Sequence, residues 1–132
     1  MDESCHYGFG KTVDLDFATA AEKVRALLGK HGFRILSTID LQRDLQSVLG
    51  VPFRRYLILG ACNADFAYKA FSADPNIGLL LPCNVIVYET DAGQVRVMAM
   101  DPVHVMELVR NPKAVEVTIE VKEKLEEVIA EL

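Results

Sequence analysis

The most apolar run of the chain, residues 79–89, constrains the fold more than any other stretch. From position 84 to 88 the alternating positions are apolar on both sides: Val85 and Val87 on one, Ile86 and Tyr88 on the other. Strands of this kind are typically covered on both faces, in the middle of a sheet. Because Pro82 lacks a backbone N–H, it fits only at the start of such a strand. The run therefore predicts a central strand with Cys83 and Asn84 at its rim.

Four further strands are predicted, over residues 7–13, 33–39, 54–62 and 94–100. The third strand in chain order, 54–62, is also apolar on both sides and is expected to be central. In the second strand, Phe33, Ile35 and Ile39 are expected to share one face. The glycines of the first strand leave one of its faces nearly bare, so that another group can approach closely there.

Helical periodicity predicts a long helix from Phe17, capped by Asp16, and a second long helix at the C-terminal end. Shorter helices are expected after Asp40, Asn63 and Asp101. Residues 115–121 also alternate like a strand, but a helical stripe continues from them to Leu132, so helix is preferred. The predicted order is β-α-β-(α)-β-(α)-β-β-(α)-α.

The chain has 132 residues, of which 51% are hydrophobic and 25% charged, as in ordinary globular proteins. This length accommodates one core. We therefore expect a frayed N-terminus over residues 1–6 and a single α+β domain over residues 7–132.

The formal net charge of −5 argues against nucleic-acid binding, since no basic patch extends beyond Arg54 and Arg55. The sequence shows neither a secretory signal nor an apolar run long enough to span a membrane. The three cysteines are an odd count, which favours reduced thiols over a disulfide framework. These features predict a cytoplasmic protein that interacts with neither nucleic acid nor membrane.

Two Cys-Asn pairs, Cys62-Asn63 and Cys83-Asn84, are the candidate site. If the strands that carry them pair antiparallel, both pairs lie at the same end of the sheet. Three interpretations remain open: small buried cysteines with a capping and a loop asparagine, a ligand-binding cluster, or thiol redox or metal chemistry. A shared reactive site requires an exposed thiolate, whereas packing cysteines are inert.

Catalytic motifs are absent from the sequence: it contains neither a phosphate-binding glycine loop nor a serine in a nucleophile elbow. Metal-ligand spacings such as Cys-x-x-Cys are also absent, so no metal site is predicted. His31, in the last turn of the first long helix, is interpreted as a structural residue that interacts with the helix C-terminus. No catalytic residue and no cofactor are assigned from the sequence.

Several segments together resemble the domain of unknown function 302 family, and the resemblance covers essentially the whole chain. They are Tyr7-Gly8-Phe9, Tyr56 to Asn63, Ala73-Asp74-Pro75, Gly78 to Val85, Met100-Asp101-Pro102 and the long final helix. The resemblance implies a β-α-β4-α arrangement, like the TATA-binding-protein-like fold, with helices on one face of an antiparallel sheet. It also implies a tendency to self-associate, and no established activity.

The sequence therefore favours a non-enzymatic module that binds a small ligand at Cys62, Asn63, Cys83 and Asn84 or self-associates as a homodimer. Both faces of the two central strands are apolar, while two long helices can cover only one. A partner subunit or a ligand is expected on the other face. The alternative is a thiol-dependent redox or metal-handling protein that uses Cys62 and Cys83.

Overall fold

The computed structural model describes residues 5–132. They contain five strands, five α-helices and two short 3₁₀ turns, the turns at Pro75–Leu79 and Glu107–Val109. The strands are β1 (Gly8–Val13), β2 (Phe33–Asp40), β3 (Tyr56–Asn63), β4 (Cys83–Glu89) and β5 (Val95–Met100). The helices are α1 (Phe17–Lys30), α2 (Leu41–Leu49), α3 (Ala64–Ala73), α4 (Pro102–Met106) and α5 (Pro112–Ala130). Of the predicted frayed segment, residues 1–4 lie outside the described residues, and Cys5 forms an isolated antiparallel bridge with Gly8.

The strands form one antiparallel sheet in the order β1-β5-β4-β3-β2. This confirms the predicted α+β class with an antiparallel sheet, and it places β4 at the centre with β3 beside it. Within residues 5–132, the helices are all too short or too polar to cross a membrane.

One face of the sheet is covered by α1, α3 and α5. Side chains from this face of the sheet and from the three helices pack together in one almost fully buried core. The strands contribute Leu59, Val85, Val87 and Val97, and the helices contribute Val24, Leu28, Phe66 and Leu125. Local sequence explains why these helices begin where they do. The carboxylate of Asp16 accepts a hydrogen bond from the Thr19 backbone N–H at 2.8 Å, and Asn63 caps α3 in the same way.

The prediction that Ile39 shares a face with Phe33 and Ile35 is wrong. A β-bulge shifts the register of β2 against β3 between Ile35 and Ser37. Since one extra residue reverses the side-chain alternation, Ile39 lies opposite Ile58 on the other face of the sheet. It is 41% exposed.

Helix α2 forms where predicted, between Asp40 and Gly50, but its apolar side is not covered. Over Leu41–Leu49 no side chain is buried, and Val48 and Leu49 are 79% and 66% exposed. Within the described residues, this helix contributes to the connection between β2 and β3 rather than to the core.

Candidate functional site

Cys62 and Cys83 lie at the same end of neighbouring antiparallel strands. β3 ends one residue after Cys62, β4 begins at Cys83, and Ala61 pairs directly with Cys83. The prediction that the two Cys-Asn pairs share one end of the sheet is therefore confirmed.

The two thiols have different surroundings although they line the same cavity. Cys83 points into the core and is 2% exposed, whereas Cys62 is half-buried. The cavity, of about 250 Å³, has otherwise apolar walls: Leu36, Ala61, Phe66, Ala67, Phe71, Leu81 and Pro82. Because its walls are mostly apolar, the cavity suits an apolar molecule better than an ion.

The two asparagines do not join the cysteines in that cavity. The side-chain oxygen of Asn63 accepts a hydrogen bond from the Phe66 backbone N–H at 3.1 Å, so this residue caps α3. Asn63 also lines a separate groove of about 510 Å³ between α3 and α5. Asn84 is exposed on the uncovered face of the sheet and lines a third groove. The four candidate residues are therefore neighbours along the strands but are divided among three cavities.

Burial strongly disfavours the thiolate of Cys83. It raises the pKa of this thiol to about 12, and the nearby Cys62 thiol adds to the effect. Because the thiolate is the reactive form, Cys83 is a poor nucleophile near neutral pH. Among residues 5–132, no three His, Cys, Asp or Glu side chains are grouped so that they could hold a metal ion.

The sheet face opposite the helices carries a continuous apolar row. Directly paired residues run across four strands in the order Ile39, Ile58, Ile86 and Met98, and Met98 pairs with Gly10 of β1. We call the whole uncovered surface the open face. The apolar row lies on the open face because side chains alternate along a β-strand. Leu59, Val85 and Val97 point to the helices, so the residue next to each of them in its strand points to the open face.

Aromatic and polar side chains lie beside the apolar row. Tyr56 and Tyr88 pair across β3 and β4 with their rings stacked at a centroid distance of 5.3 Å, and Tyr88 pairs with Arg96 of β5. Burial, followed by the proximity of Tyr88 and Tyr7, raises the pKa of the Tyr56 phenol. Phe53 extends this aromatic edge, with its ring centroid 6.3 Å from that of Tyr56.

The open face encloses a shallow groove of about 530 Å³. Among the described residues that line it, Arg96 is the charged one, and the others are apolar, aromatic or uncharged polar: Cys5, Tyr7, Gly8, Tyr56, Ile58, Asn84, Ile86, Tyr88, Met98, Ala99 and Met100. A sheet face with this composition resembles the core of a protein interface more than an ordinary solvated surface.

The glycines of β1 have a role within the chain. A Cβ atom at Gly10 would collide with the Val97 carbonyl oxygen and with the Met98 sulfur, so Met98 occupies the space that a side chain would need. The group that closely approaches β1 is thus the neighbouring strand. Residue patterns alone indicated a bare face here but could not identify Met98 as the side chain that covers it.

Sequence interpretation missed one polar cluster on the helical side of the molecule. His31 contacts both Glu127 and Glu131 of α5. The available signal was the four-residue spacing of the two glutamates, which places them on one side of a helix. Only the tertiary structure brings the end of α1 to that side.

Comparison with known proteins places the chain in a family. The family model described as "Domain of unknown function DUF302" matches residues 9–132. The chain belongs to the DUF302 family. The resemblance noted from the sequence segments is thereby confirmed.

A solved DUF302 structure has the same fold. The crystal structure of an uncharacterized conserved protein DUF302 from Bacillus stearothermophilus matches with a TM-score of 0.87 and 20% sequence identity. The match covers 96% of this chain and 98% of that chain. At this identity the similarity establishes the shared fold and not a shared activity. A comparison with curated proteins found no match.

Proposed function

We propose that this DUF302 chain is a non-enzymatic, cytoplasmic module that self-associates as a homodimer through its open face. The observation that carries the proposal is the apolar row Ile39, Ile58, Ile86 and Met98, which the helices of the same chain do not cover. A second copy of the chain is the occupant that best fits this surface.

The size of the open face supports this occupant. Five strands spaced about 4.8 Å apart, each presenting about five residues, give roughly 400 Å² in projection. If half of this area is apolar, the apolar patch is roughly 200 Å² in projection, and Phe53 and Tyr7 extend it, at 39% and 66% exposure. Contiguous apolar patches commonly mark interaction sites. Two copies face to face would bury roughly 800 Å² in projection before these two residues are added, close to the lower limit of about 1,000 Å² for specific interfaces.

The energetic balance favours a dimer of moderate affinity. If half of the projected area is apolar, two copies remove about 400 Å² of apolar surface from water, a gain of about 10 kcal/mol. Association costs about 4–15 kcal/mol in lost translational and rotational freedom. At the low end of that cost the net gain is about 6 kcal/mol, so we expect a dissociation constant of tens of micromolar rather than a permanent dimer.

A second candidate function is small-ligand binding at the Cys-Asn end of the sheet. The observation that favours it is the apolar cavity of about 250 Å³ that Cys62 and Cys83 line together. Asn63 and Asn84 remain part of this proposal as flanking residues. The competing proposal, thiol redox or metal handling through the two cysteines, has less support because burial raises the pKa of the Cys83 thiol.

Both functions are tested on one preparation of the full chain. Sedimentation equilibrium from about 1 to 100 μM should show a monomer–dimer equilibrium, as expected for a moderate interface. Native mass spectrometry of the same sample should show a non-covalent adduct if the cavity holds a ligand, and the Ala67→Trp variant, which fills the cavity, should lose it. A monomer over the whole range contradicts the dimer, and an adduct that persists in Ala67→Trp contradicts the ligand site.

A further inference from the structure

The C-terminal ends of α1 and α5 are joined through one histidine, on the side of the molecule opposite the open face. His31 follows the last residue of α1 and its side chain is only 12% exposed. Its Nδ1 lies 3.1 Å from Glu127 Oε2, and its Nε2 lies 2.8 Å from Glu131 Oε2. Lys30 Nζ contacts the other oxygen of Glu131 at 2.8 Å.

Hydrogen-bonding capacity determines the protonation state that fits this geometry. A neutral imidazole has one donor nitrogen and one acceptor nitrogen, whereas an imidazolium donates from both. An ionised carboxylate can only accept. With both glutamates ionised, the two His31 contacts are therefore both hydrogen bonds only when the ring carries two protons.

From this geometry we infer that His31 is a proton-dependent clasp, which holds the last turn of α5 against α1 when charged and releases one of its two carboxylates when neutral. The clasp is independent of the proposed dimer, because its residues belong to the helical side of the molecule.

The charged groups around the clasp come from several elements. The carboxylates of Glu127 in α5 and of its C-cap Glu131 contact the ring, and the Lys30 ammonium of α1 contacts Glu131. Lys11 of β1 lies nearby, with its Nζ 3.4 Å from the Ala130 carbonyl oxygen. The groove that begins at Gly32, the next residue in the chain, is lined by charged side chains of both signs, namely Asp65, Lys69, Glu116, Glu120 and Lys124.

The direction of the pH dependence follows from these contacts. As the pH rises and the imidazolium loses its proton, one carboxylate contact is lost and the end of α5 is held less firmly. On the acid side, hydrogen bonds from Lys30 and then His31 lower the pKa of Glu131, so its carboxylate stays ionised below the usual range of glutamate. The clasp therefore makes both carboxylate contacts when the ring is protonated and only one when the ring is neutral, and histidine is the side chain whose charge ordinarily changes nearest to neutral pH.

The residues held by the clasp connect it to the core. Val128 and Ile129 are buried, and Leu132 packs against the core at the end of the chain. Opening the clasp should therefore increase local unfolding of the last turn of α5 without unfolding the domain.

Amide hydrogen exchange of the full chain at pH 5.5 and 8.0 tests the inference, with rates converted to protection factors to remove the intrinsic pH effect. Protection of residues 128–132 should fall about three-fold or more from pH 5.5 to 8.0, the size expected for an ion pair at a helix end. In the His31→Gln variant, the protection of residues 128–132 should be the same at pH 5.5 and pH 8.0. His104→Gln is the matched control, because the His104 side chain is 55% exposed and its Nδ1 lies 3.5 Å from a carboxylate oxygen of Glu107 in another part of the molecule.

Glu131→Gln provides a second test that leaves the histidine in place. Its pH-dependent change in protection should be smaller than in the wild type, and the ring nitrogen chemical shifts of His31 should move towards the neutral form at pH 5.5. Equal protection at both pH values in the wild type would overturn the clasp. So would an unchanged pH response in His31→Gln.

Discussion

We expect Cys62 and Cys83 to differ in reactivity, because Cys62 is half-buried and Cys83 is buried in the core, although both line one cavity. Cys83 is 2% exposed, and its burial raises its thiol pKa to about 12. Cys62 is half-buried and is followed by the N-cap of α3. A helix N-terminus favours a thiolate, while apolar burial disfavours it.

Serine substitution should affect the two positions unequally. Cys83→Ser places a hydroxyl in the core without a hydrogen-bond partner, so we expect it to lower the free energy of unfolding by about 1–3 kcal/mol. Cys62→Ser should cost less, because water can reach that position. Urea denaturation measures both, and a larger loss for Cys62→Ser would contradict the burial argument.

Thiol labelling near neutral pH should show the same order. The exposed Cys5 is first replaced by serine to remove its signal. In that background Cys62 should react faster than Cys83. Equal rates, or a disulfide between Cys62 and Cys83 under mild oxidation, would favour the redox proposal over ligand binding.

Glycine has opposite effects on the stability of two secondary-structure elements, β1 and α1. Gly10 of β1 lies under Met98, and a Cβ there would collide with the Val97 backbone. Gly29 of α1 is exposed and a Cβ there would meet nothing within 4 Å. The close packing between β1 and β5 therefore depends on Gly10, whereas α1 gains nothing from Gly29.

Alanine substitution at the two glycines is a matched pair. Gly10→Ala should destabilise the protein by about 1–3 kcal/mol through overpacking between β1 and β5. Gly29→Ala should stabilise it by roughly 0.5–1 kcal/mol, because alanine is the better helix former. Thermal unfolding distinguishes them by the sign of the shift. A neutral Gly10→Ala would contradict the overpacking argument, because the nearest atom is the backbone carbonyl oxygen of Val97, which cannot rotate aside as a side chain can.

Most elements were predictable because their patterns are local. The Asp16 cap and the periodic apolar positions of α1 lie within one segment, and so does the stripe that identifies α5 as a helix rather than a strand. The bulge in β2 was not predictable, since it depends on register against β3 and reverses the face of Ile39. Tertiary packing, rather than local pattern, decides such positions.

The candidate site was predictable only in part, for a related reason. Strand pairing could place Cys62 and Cys83 at one end of the sheet, and the structure confirms that placement. Sequence could not show that Asn63 turns towards α3 and Asn84 towards the open face. Likewise, the contact of His31 with Glu127 and Glu131 joins residues almost 100 positions apart in the chain.

At the scale of the whole molecule, the distribution of apolar surface is asymmetric. One sheet face is sealed by α1, α3 and α5, and the other presents the apolar row that includes Ile86. In the proposed dimer, a second copy of the chain covers the open face. Because the dimer depends on one particular surface, substitutions at two apolar positions on different surfaces should have different effects.

Sedimentation of the Ile86→Lys and Ile119→Lys variants makes this comparison. Ile86 is half-buried in the open face, and Ile119 is 54% exposed on α5. Both variants gain one positive charge, and both should keep the circular dichroism spectrum of the folded domain. Burying a lysine in an interface without a partner is strongly unfavourable. We expect Ile86→Lys to be monomeric at concentrations where the wild type and Ile119→Lys are dimeric; a dimer that survives in Ile86→Lys but is lost in Ile119→Lys would contradict the account.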